Sequence, residues 1–466
     1  MAVSFTVVPA SRETVMRRIT FDVTSDRDSA DPETVSAVAD NGSGKARFTT
    51  GTTHAYKVGD IITNSDFTDT SYNGNFEVTA IAASTYDVSA ITFVATDTGN
   101  VVRLNANFQI RADIKKGITV LAQIRQLSLL SPVGTYRFDL SEVLATELSG
   151  TFANLGEITV NDIITGLTRN SVGYTVDFVE EFDDADGLLK EGDTITSPDK
   201  DAFNIAFQYT DNPDVDKFVT GSVTKRFMTS APANKLLRDG EHEQLTFITD
   251  ESSLKVRRNE LDASGTPTVT FSASKTITGK MGIVVVRESQ LLSTTVSVGY
   301  QLYKDDESTI ITEERFFKVD RTCERHFSRI HFANREGGFD SFTFTGTRVE
   351  SIKNKKTSFS KRIADDSGLV AGRGRTVLGV KSTNPISIWS EFLNDTEAQW
   401  LKQLLESPSA LIQLFLAPGS PAILAINIEN RNDKYFSSEK IGQIKLVYSS
   451  ANDRIVQSVN AGDINA

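Results

Sequence analysis

The chain has 466 residues and a formal net charge of −12 at pH 7. Its 24% charged and 39% hydrophobic residues are ordinary for a globular protein, and at about 100–200 residues per domain it is long enough for three or four domains. No apolar run approaches the roughly 18–20 residues of a membrane-spanning helix, and no secretory signal is recognisable at the N-terminus. The acidic balance disfavours binding to nucleic acid or to an anionic membrane surface.

The cysteine and histidine content narrows the chemistry further. Cys323 is the only cysteine and the chain has four histidines, so an intramolecular disulfide is impossible and a four-ligand Cys/His zinc site is not expected. This composition lowers the expectation of metal binding and of catalysis. Asp, Glu, Lys or Ser chemistry is still conceivable with such a composition.

A period of two dominates the hydrophobic pattern and predicts half-buried strands separated by turns rich in Gly and Asn. The clearest alternating runs are Tyr174–Phe178, Val269–Ala273, Val296–Tyr300 and Phe342–Phe344. The fold class predicted is all-β and multidomain, with several small antiparallel sandwiches or barrels and about two short helices.

Composition and turn signals suggest five domains. The expected division is residues 1–32 with 101–152, an inserted module at 33–100, a second β domain at 153–262, a central β domain at 263–372, and an α+β domain at 373–466.

The inserted module has the pattern of a small barrel. Gly59-Asp60 predicts a tight turn before a strand, and Asn73-Gly74 predicts a hairpin because these residues tolerate positive φ.

Two helices are predicted. Asp139 and Glu142 have the spacing of a capping box before an apolar run, and Asn394 with Glu397 repeats that spacing before the apolar stripe that contains Trp400. We expect the second stripe to pack on its own domain's sheet.

An acidic run from Asp177 to Gly187 raises the question of calcium. It fails the EF-hand spacing because Phe182 stands where the first ligand belongs, although Asp184 and Asp186 remain weak candidates for another type of loop site. A solvated loop is the favoured interpretation.

The segment 325–344 combines an aromatic-rich pair of strands with a Gly337-Gly338 turn. Phenylalanine is abundant, at 28 against 10 Tyr and 2 Trp, and a side chain without a polar group favours cores and buried interfaces over a sugar-binding platform. The residues expected to maintain this domain or its interfaces are Phe327, Phe332, Gly337, Gly338, Phe339, Phe342, Phe344 and Trp400.

The stretch 348–375 is basic. It could bind phosphate or an acidic partner, but it contains only one aromatic residue, Phe359, to stack on bases. A connection that crosses a subunit boundary is favoured over recognition of nucleic acid.

Three segments resemble phage tail proteins, particularly those of Bacteroidetes phages and prophages. Residues 54–81 are similar to the barrel of the first catalytic-cysteine half-domain, which recurs in phage structural proteins. Residues 101–144 resemble an N-terminal strand pair with a capped helix, and 325–344 resemble an "FLNRLGGFDxFTF" motif, from which Glu336 departs.

The resemblance implies a virion structural protein of the tail tip or baseplate, assembled in the host cytoplasm. It carries over no catalytic residues, so we expect no enzymatic activity, no metal and no other cofactor. The protein's expected partners are other phage tail proteins and further copies of itself in a homo-oligomeric ring. The inserted module is then expected to project outward, with Tyr72, Asn73 and Gly74 as candidate receptor-facing residues. The alternative is a tail protein that binds a host surface glycan or protein receptor. A polysaccharide-degrading tail enzyme is the least favoured of the three.

Overall fold

The computed structural model describes residues 3–27, 31–127, 135–148, 163–165, 171–183, 187–206, 215–219, 226–238, 241–287, 291–321, 328–360, 375–415, 421–429 and 441–451. The chain divides into two compact units. One comprises Met1–Ser149 with Ser171–Asn204, and the other Gly150–Asn170 with Ile205–Ala466.

The first part of the chain is almost entirely strand. Its elements are β1 (Ser4–Val7), β2 (Arg12–Thr14), β3 (Thr20–Thr24), β4 (Glu33–Asp40), β5 (Lys45–Thr50), β6 (Ile61–Ser65), β7 (Gly74–Ala82), β8 (Thr85–Thr92), β9 (Gly99–Arg103), β10 (Gln109–Lys116), β11 (Thr119–Leu127), β12 (Thr135–Asp139), α1 (Ser141–Glu147), β13 (Ile163–Ile164), β14 (Ser171–Asp183), β15 (Leu189–Thr196) and β16 (Lys200–Phe203). A 3₁₀ turn at Thr70–Tyr72 precedes β7.

Strands β4 to β9 form a closed barrel in the order β4-β5-β8-β7-β6-β9. Aromatic side chains fill it: Phe48 and Tyr86 stack with ring centroids 5.1 Å apart, and Tyr72 meets Phe48 edge-on at 5.7 Å. The barrel closes where β4 pairs with β9, so the chain enters and leaves this module at hydrogen-bonded neighbours, Glu33 and Val101.

The rest of the first unit contains a six-stranded sheet with the path β11-β10-β14-β16-β2, to which β15 adds on β14, and a three-stranded sheet β1-β3-β12. Strand β14 buries Val172, Tyr174, Val176 and Phe178 at alternate positions, as its period of two predicts.

The second unit continues with strands and one longer helix. Its elements after β13 are a 3₁₀ turn at Val215–Phe218, then β17 (Lys235–Arg238), β18 (His242–Ile248), β19 (Ser253–Asp262), β20 (Pro267–Phe271), β21 (Lys275–Thr276), β22 (Met281–Arg287), β23 (Thr295–Tyr303), β24 (Arg315–Asp320), β25 (Ser328–Ala333), β26 (Phe339–Phe344), β27 (Arg348–Glu350), β28 (Lys353–Ser360), β29 (Arg375–Thr383), β30 (Ile386–Trp389), β31 (Leu393–Asn394), α2 (Asp395–Glu406), β32 (Ala410–Phe415), β33 (Pro421–Ile428), β34 (Ile441–Gly442) and β35 (Lys445–Ser450).

These strands form three larger sheets and two strand pairs. The sheet paths are β13-β22-β18, β17-β24-β23-β19-β20 with β21 on β19, and β26-β25-β32-β33-β35-β30-β27; the pairs are β28-β29 and β31-β34. Separate apolar clusters lie around Tyr300 and around Trp400.

The predicted all-β, multidomain class is confirmed, and the described residues contain two α-helices. The pairing is antiparallel with two exceptions among the described strands, because β16 runs parallel to β2 and β17 runs parallel to β24. Both exceptions join segments distant in sequence, which local turn signals do not predict.

The two helices begin differently. Helix α2 has the predicted capping box, since Oδ1 of Asn394 accepts from the Glu397 N–H at 2.9 Å and a Glu397 carboxylate oxygen accepts from the Asn394 N–H at 3.0 Å. The predicted helix α1 is present, but its predicted capping box is wrong: the N-cap is Leu140, and Asp139 instead accepts from the N–H and the hydroxyl of Ser141. Asp139 thus forms a local Asx-type turn before the helix.

Candidate functional site at strands β25 and β26

The turn between β25 and β26 depends on Asn334 and two glycines. Oδ1 of Asn334 accepts from the backbone N–H groups of Glu336 and Gly338, each at 3.0 Å. Gly337 has φ 86°, a left-handed conformation that favours glycine. A Cβ at Gly338 would lie 2.8 Å from the carbonyl oxygen of Met228, so close approach of another backbone requires glycine there.

One face of this hairpin is aromatic and packs on α2. Phe332 and Trp400 have ring centroids 5.8 Å apart, Phe342 and Trp400 6.0 Å, and Phe342 and Phe344 4.9 Å. Phe332, Phe344 and Trp400 are buried and Phe342 is half-buried. Four predicted residues therefore contact one another in the core of this domain.

Phe339 stands outside that aromatic group, although it is buried. It pairs across the strands with Ala333, one position out of phase with Phe342 and Phe344. Alternation along a strand therefore directs it to the opposite face.

The opposite face of the hairpin is polar and buried. Arg329 and His331 project there from β25, and Ser341 and Thr343 face them from β26 in the antiparallel register. Arg329, only 1% exposed, donates to Thr343 Oγ1 at 2.8 Å. Buried groups of this kind need partners, which come from a separate sheet.

The strand β18 region supplies those partners. The Arg329 guanidinium lies 2.8 Å from an oxygen of Glu241 and 2.5 Å from an oxygen of Glu243, and it donates to the carbonyl of His242 at 2.7 Å. Lys235 lies 2.8 Å from the same oxygen of Glu243. We call Lys235, Glu241, Glu243 and Arg329 the buried ion cluster.

Burial and pairing act against each other within this cluster. Burial would raise the pKa of Glu243, but Lys235 and Arg329 outweigh it and hold that pKa below its usual value. Burial lowers the pKa of Lys235 despite the neighbouring Glu243. The Glu243 carboxylate is thus stabilised in its charged form between two cations.

His331 is fully buried beside the cluster. Its Nδ1 lies 2.7 Å from Ser341 Oγ, and its Nε2 lies 3.1 Å from Gln413 Oε1. Burial, reinforced by the positive charge of Arg329, holds the pKa of His331 well below 6.5. This histidine is therefore neutral at pH 7 and serves as a hydrogen-bonding core residue.

A cavity of about 100 Å³ lies between the aromatic and polar groups. Its charged walls form pairs: Arg329 with Glu241, and Arg238 with Glu391 at 2.7 Å. Lys235 lies over the Trp400 ring, 5.0 Å from its centroid, and Phe392 is 72% exposed. The residues lining it include Pro232, Lys235, Arg238, Glu241, Arg329, Phe342, Glu391, Phe392 and Trp400.

The predicted receptor-facing residues lie in the barrel, where Tyr72 and Asn73 make contacts within the barrel itself. Tyr72 is fully buried, and its hydroxyl donates to the Ala95 carbonyl at 2.9 Å, so its ring is not available to a receptor. The Asn73 side chain makes two hydrogen bonds to the backbone of Phe67: its Oδ1 accepts from the N–H, and its Nδ2 donates to the carbonyl oxygen. Asn73-Gly74 is not the tight hairpin turn predicted: Asn73 ends the 3₁₀ turn with φ −86°, and only Gly74 has a positive φ, of 136°.

A second buried ion cluster fixes the barrel to the sheet of its own unit. Asp60, fully buried, lies 3.2 Å from Nε of Arg27 and 3.2 Å from Nε of Arg103, and Arg27 Nε lies 3.5 Å from a Glu180 oxygen on β14. Arg103 also donates to the carbonyl of Ala55 at 2.6 Å. We call Arg27, Asp60, Arg103 and Glu180 the barrel-base cluster.

Three candidate residues, Phe327, Asp184 and Asp186, lie outside the described residues. Among the residues that are described, no group of three or more His, Cys, Asp or Glu side chains could hold a metal ion. No helix in the described part of the chain is both long and apolar enough to span a membrane.

Neither buried ion cluster was predicted from the sequence. Arg329 and Glu243 are 86 positions apart, and Arg27 and Glu180 are further apart still, so no local spacing joins them. The one local signal was the pattern of Arg329 and His331, which alternate with apolar Ile330 and Phe332 on a strand.

No protein-family model matches this chain, and no curated protein matches it.

Proposed function

We propose that this chain is a virion structural protein of a phage tail, placed at the distal tail or baseplate, where copies assemble into a ring through β-domain interfaces. The observation that carries the proposal is the barrel-base cluster. It holds a closed barrel rigidly on the first unit's sheet, as a projecting module of an assembly component requires.

The charges at the barrel base support a fixed attachment rather than a hinge. Asp60 is shared by two buried guanidinium groups, so removing its charge would weaken the pairing of both buried cations at once. At the edge of the same junction Lys190 of β15 pairs with Glu77 of β7. The barrel therefore moves with its sheet and can present a surface at a set orientation within that unit.

The packing of the β25–β26 hairpin in the second unit supports the same proposal. Its β25–β26 hairpin is covered on both faces, by α2 on one and by the β18 region on the other. Paired charges line the cavity beside Trp400. These features hold sheets in a fixed relation, as the subunits of a mechanical assembly need, and they correspond to the segment that resembles phage tail proteins.

The test is immunogold electron microscopy of phage particles that carry this protein, with antibodies that recognise residues 33–103 in the full chain. Label confined to the distal end of the tail is the expected result. Label over the capsid or neck, or particles without label, would contradict the proposal. Antibody pre-adsorbed with purified protein is the control.

The receptor-binding alternative has a separate readout. Purified full-length protein applied to arrays of bacterial surface glycans would bind if the alternative holds. A structural ring component without a receptor role gives no saturable binding there. Since Tyr72 and Asn73 serve the barrel's own packing, such binding would have to use other residues of the module.

A further inference from the structure

Strands β28 and β29 form a two-stranded ribbon that extends the hairpin of β27 and β30. The register is continuous: Glu350 is opposite Ile386 on the sheet, and Lys353 is opposite Thr383 on the ribbon. The N–H of Ser351 donates to the Pro385 carbonyl at 3.1 Å and bridges the two parts. At about 3.3 Å per residue, the eight residues of β28 carry the ribbon roughly 26 Å beyond its sheet.

The described side chains at the start of the ribbon's first strand are exposed to solvent. Neither β28 nor β29 pairs with a third described strand. Residues 351–357 are all exposed, and Ile352 is 71% exposed at the base of the ribbon. A ribbon of two strands is only marginally stable in water, and a third strand or a packed face is what normally stabilises one.

The charge of the ribbon identifies the kind of surface that would cover it. Strand β28 carries Lys353, Lys355 and Lys356 and no acidic residue. The two strands together, Lys353–Ser360 and Arg375–Thr383, contain five Lys or Arg and no Asp or Glu, a net charge of +5 in a chain of −12, which leaves −17 on the rest. A basic arm on an otherwise acidic protein is complementary to another copy of that protein.

We propose that the β28–β29 ribbon is an assembly arm that docks on an acidic surface of a second copy of this chain. A contact of this type is heterologous, because the arm of one copy meets a different surface of the next, and repeated rotation can close it into a ring. The inference rests on the self-assembly part of the proposed function and is independent of where in the virion the protein lies.

The first test is crosslinking of the full-length protein. Isotope-labelled and unlabelled chains are mixed, treated with a zero-length carbodiimide reagent, and analysed by mass spectrometry. We expect mixed-isotope crosslinks from Lys353, Lys355 or Lys356 to Asp or Glu residues of the other chain. Crosslinks from these lysines only within a single chain would overturn the proposal.

The second test is sedimentation velocity of a charge-reversed variant, Lys353→Glu with Lys355→Glu and Lys356→Glu. Loss of interfacial ion pairs together with like-charge repulsion should weaken self-association by about tenfold or more. For the wild type, raising NaCl from about 50 mM to about 500 mM should shift the distribution towards monomer, because salt screens such contacts. The three lysines are exposed, so we expect the variant to fold, and circular dichroism checks this.

The matched control reverses three exposed charges elsewhere, by Arg18→Glu, Lys45→Glu and Lys318→Glu, with the same change in net charge. This control should associate like the wild type apart from a general charge effect. Oligomers that survive charge reversal of the arm would overturn the arm proposal and leave the ring itself standing. A wild-type protein that is monomeric would overturn the arm proposal. The proposed location in the phage tail would still be tested separately, by immunogold labelling.

Binding to a polyanion is the competing use of a basic ribbon. If a short duplex DNA or heparin binds the wild type, and the arm variant loses that binding while self-association is unchanged, the docking proposal is wrong. If self-association falls and neither polyanion binds, the proposal is supported.

Discussion

The indole Nε1–H of Trp400 donates a hydrogen bond of 2.8 Å to Oδ2 of Asp340, and both residues are almost fully buried. The other oxygen of Asp340 accepts from the Thr229 hydroxyl at 2.6 Å. A single carboxylate thus joins helix α2, strand β26 and the segment that precedes β17.

Trp400→Phe should therefore destabilise the second unit. The ring volume falls and one buried carboxylate oxygen loses its donor, a loss of about 1–3 kcal/mol for the unsatisfied acceptor. Urea unfolding followed by circular dichroism measures it. Phe392→Ala, at a side chain that is 72% exposed, should change the unfolding free energy by no more than about 0.5 kcal/mol. Equal effects of the two changes would contradict a special role for the Trp400–Asp340 bond.

Arg329→Leu should be among the most damaging substitutions. It removes the buried cation that Glu241 and Glu243 share, although Glu243 keeps Lys235, and breaking a buried pair costs about 3–5 kcal/mol. The comparison is Arg348→Leu, which breaks the exposed pair of Arg348 with Glu350 and should cost about 0–1 kcal/mol. Denaturant unfolding of both variants distinguishes the buried cluster from a surface ion pair.

The two turn glycines should respond differently to substitution. Gly338→Ala should destabilise because the new Cβ would meet the Met228 carbonyl and Thr246 Oγ1, both at 2.8 Å. Gly337→Ala should cost about 1–2 kcal/mol from its left-handed φ, and Gly337→Asn should recover part of that loss. Gly51→Ala is the control, since its Cβ would meet only the Thr34 oxygen at 3.8 Å. A tolerated Gly338→Ala would show that the neighbouring backbone can move aside.

His331 should make stability depend on pH below neutrality. Its pKa is lowered in the folded state, so below pH 6.5 the unfolded chain binds a proton that the folded chain does not. Stability therefore falls as pH falls, by about 1.4 kcal/mol from about pH 7.5 to about pH 5.5 for this one group. In His331→Gln this contribution disappears. Unfolding free energies of the two proteins against pH should diverge across that window, and parallel curves would refute the assignment.

Asp60→Asn should loosen the barrel from its sheet. The change keeps the shape but removes the charge shared by Arg27 and Arg103, with an expected loss of about 3–5 kcal/mol. Hydrogen exchange should rise first in β6 and β9, which flank the cluster. Glu77→Gln breaks the more exposed pair with Lys190 at the same junction and should cost about 0–1 kcal/mol.

Periodicity predicted the strand-rich class well because alternation is a local property. Tyr174 to Phe178 alternates in the sequence and is buried accordingly in β14. The Asn394–Glu397 cap was equally local, and it formed. What local pattern could not reveal was the partner of each buried charge, since Arg329 meets Glu243 only after two sheets have come together.

At Asp139 and Tyr72, the local sequence pattern itself predicted the wrong local structure. At Asp139 the spacing of a capping box was present, but the nearer Ser141 took the carboxylate. At Tyr72 a neighbouring Asn-Gly pair suggested an exposed turn, yet a 3₁₀ turn folds the ring inward. At Asp139, competition between nearby hydrogen-bond partners decided the outcome.

The barrel's two ends, Glu33 and Val101, lie side by side in one strand pair. A module attached this way can be excised or exchanged while the flanking chain needs only a short link to rejoin. The barrel is therefore an insertion that could be exchanged for another domain whose ends are equally close. Transplanting residues 33–103, which keep the whole of β9, onto another scaffold with two adjacent strand ends is a practical route to studying the barrel's surface in isolation.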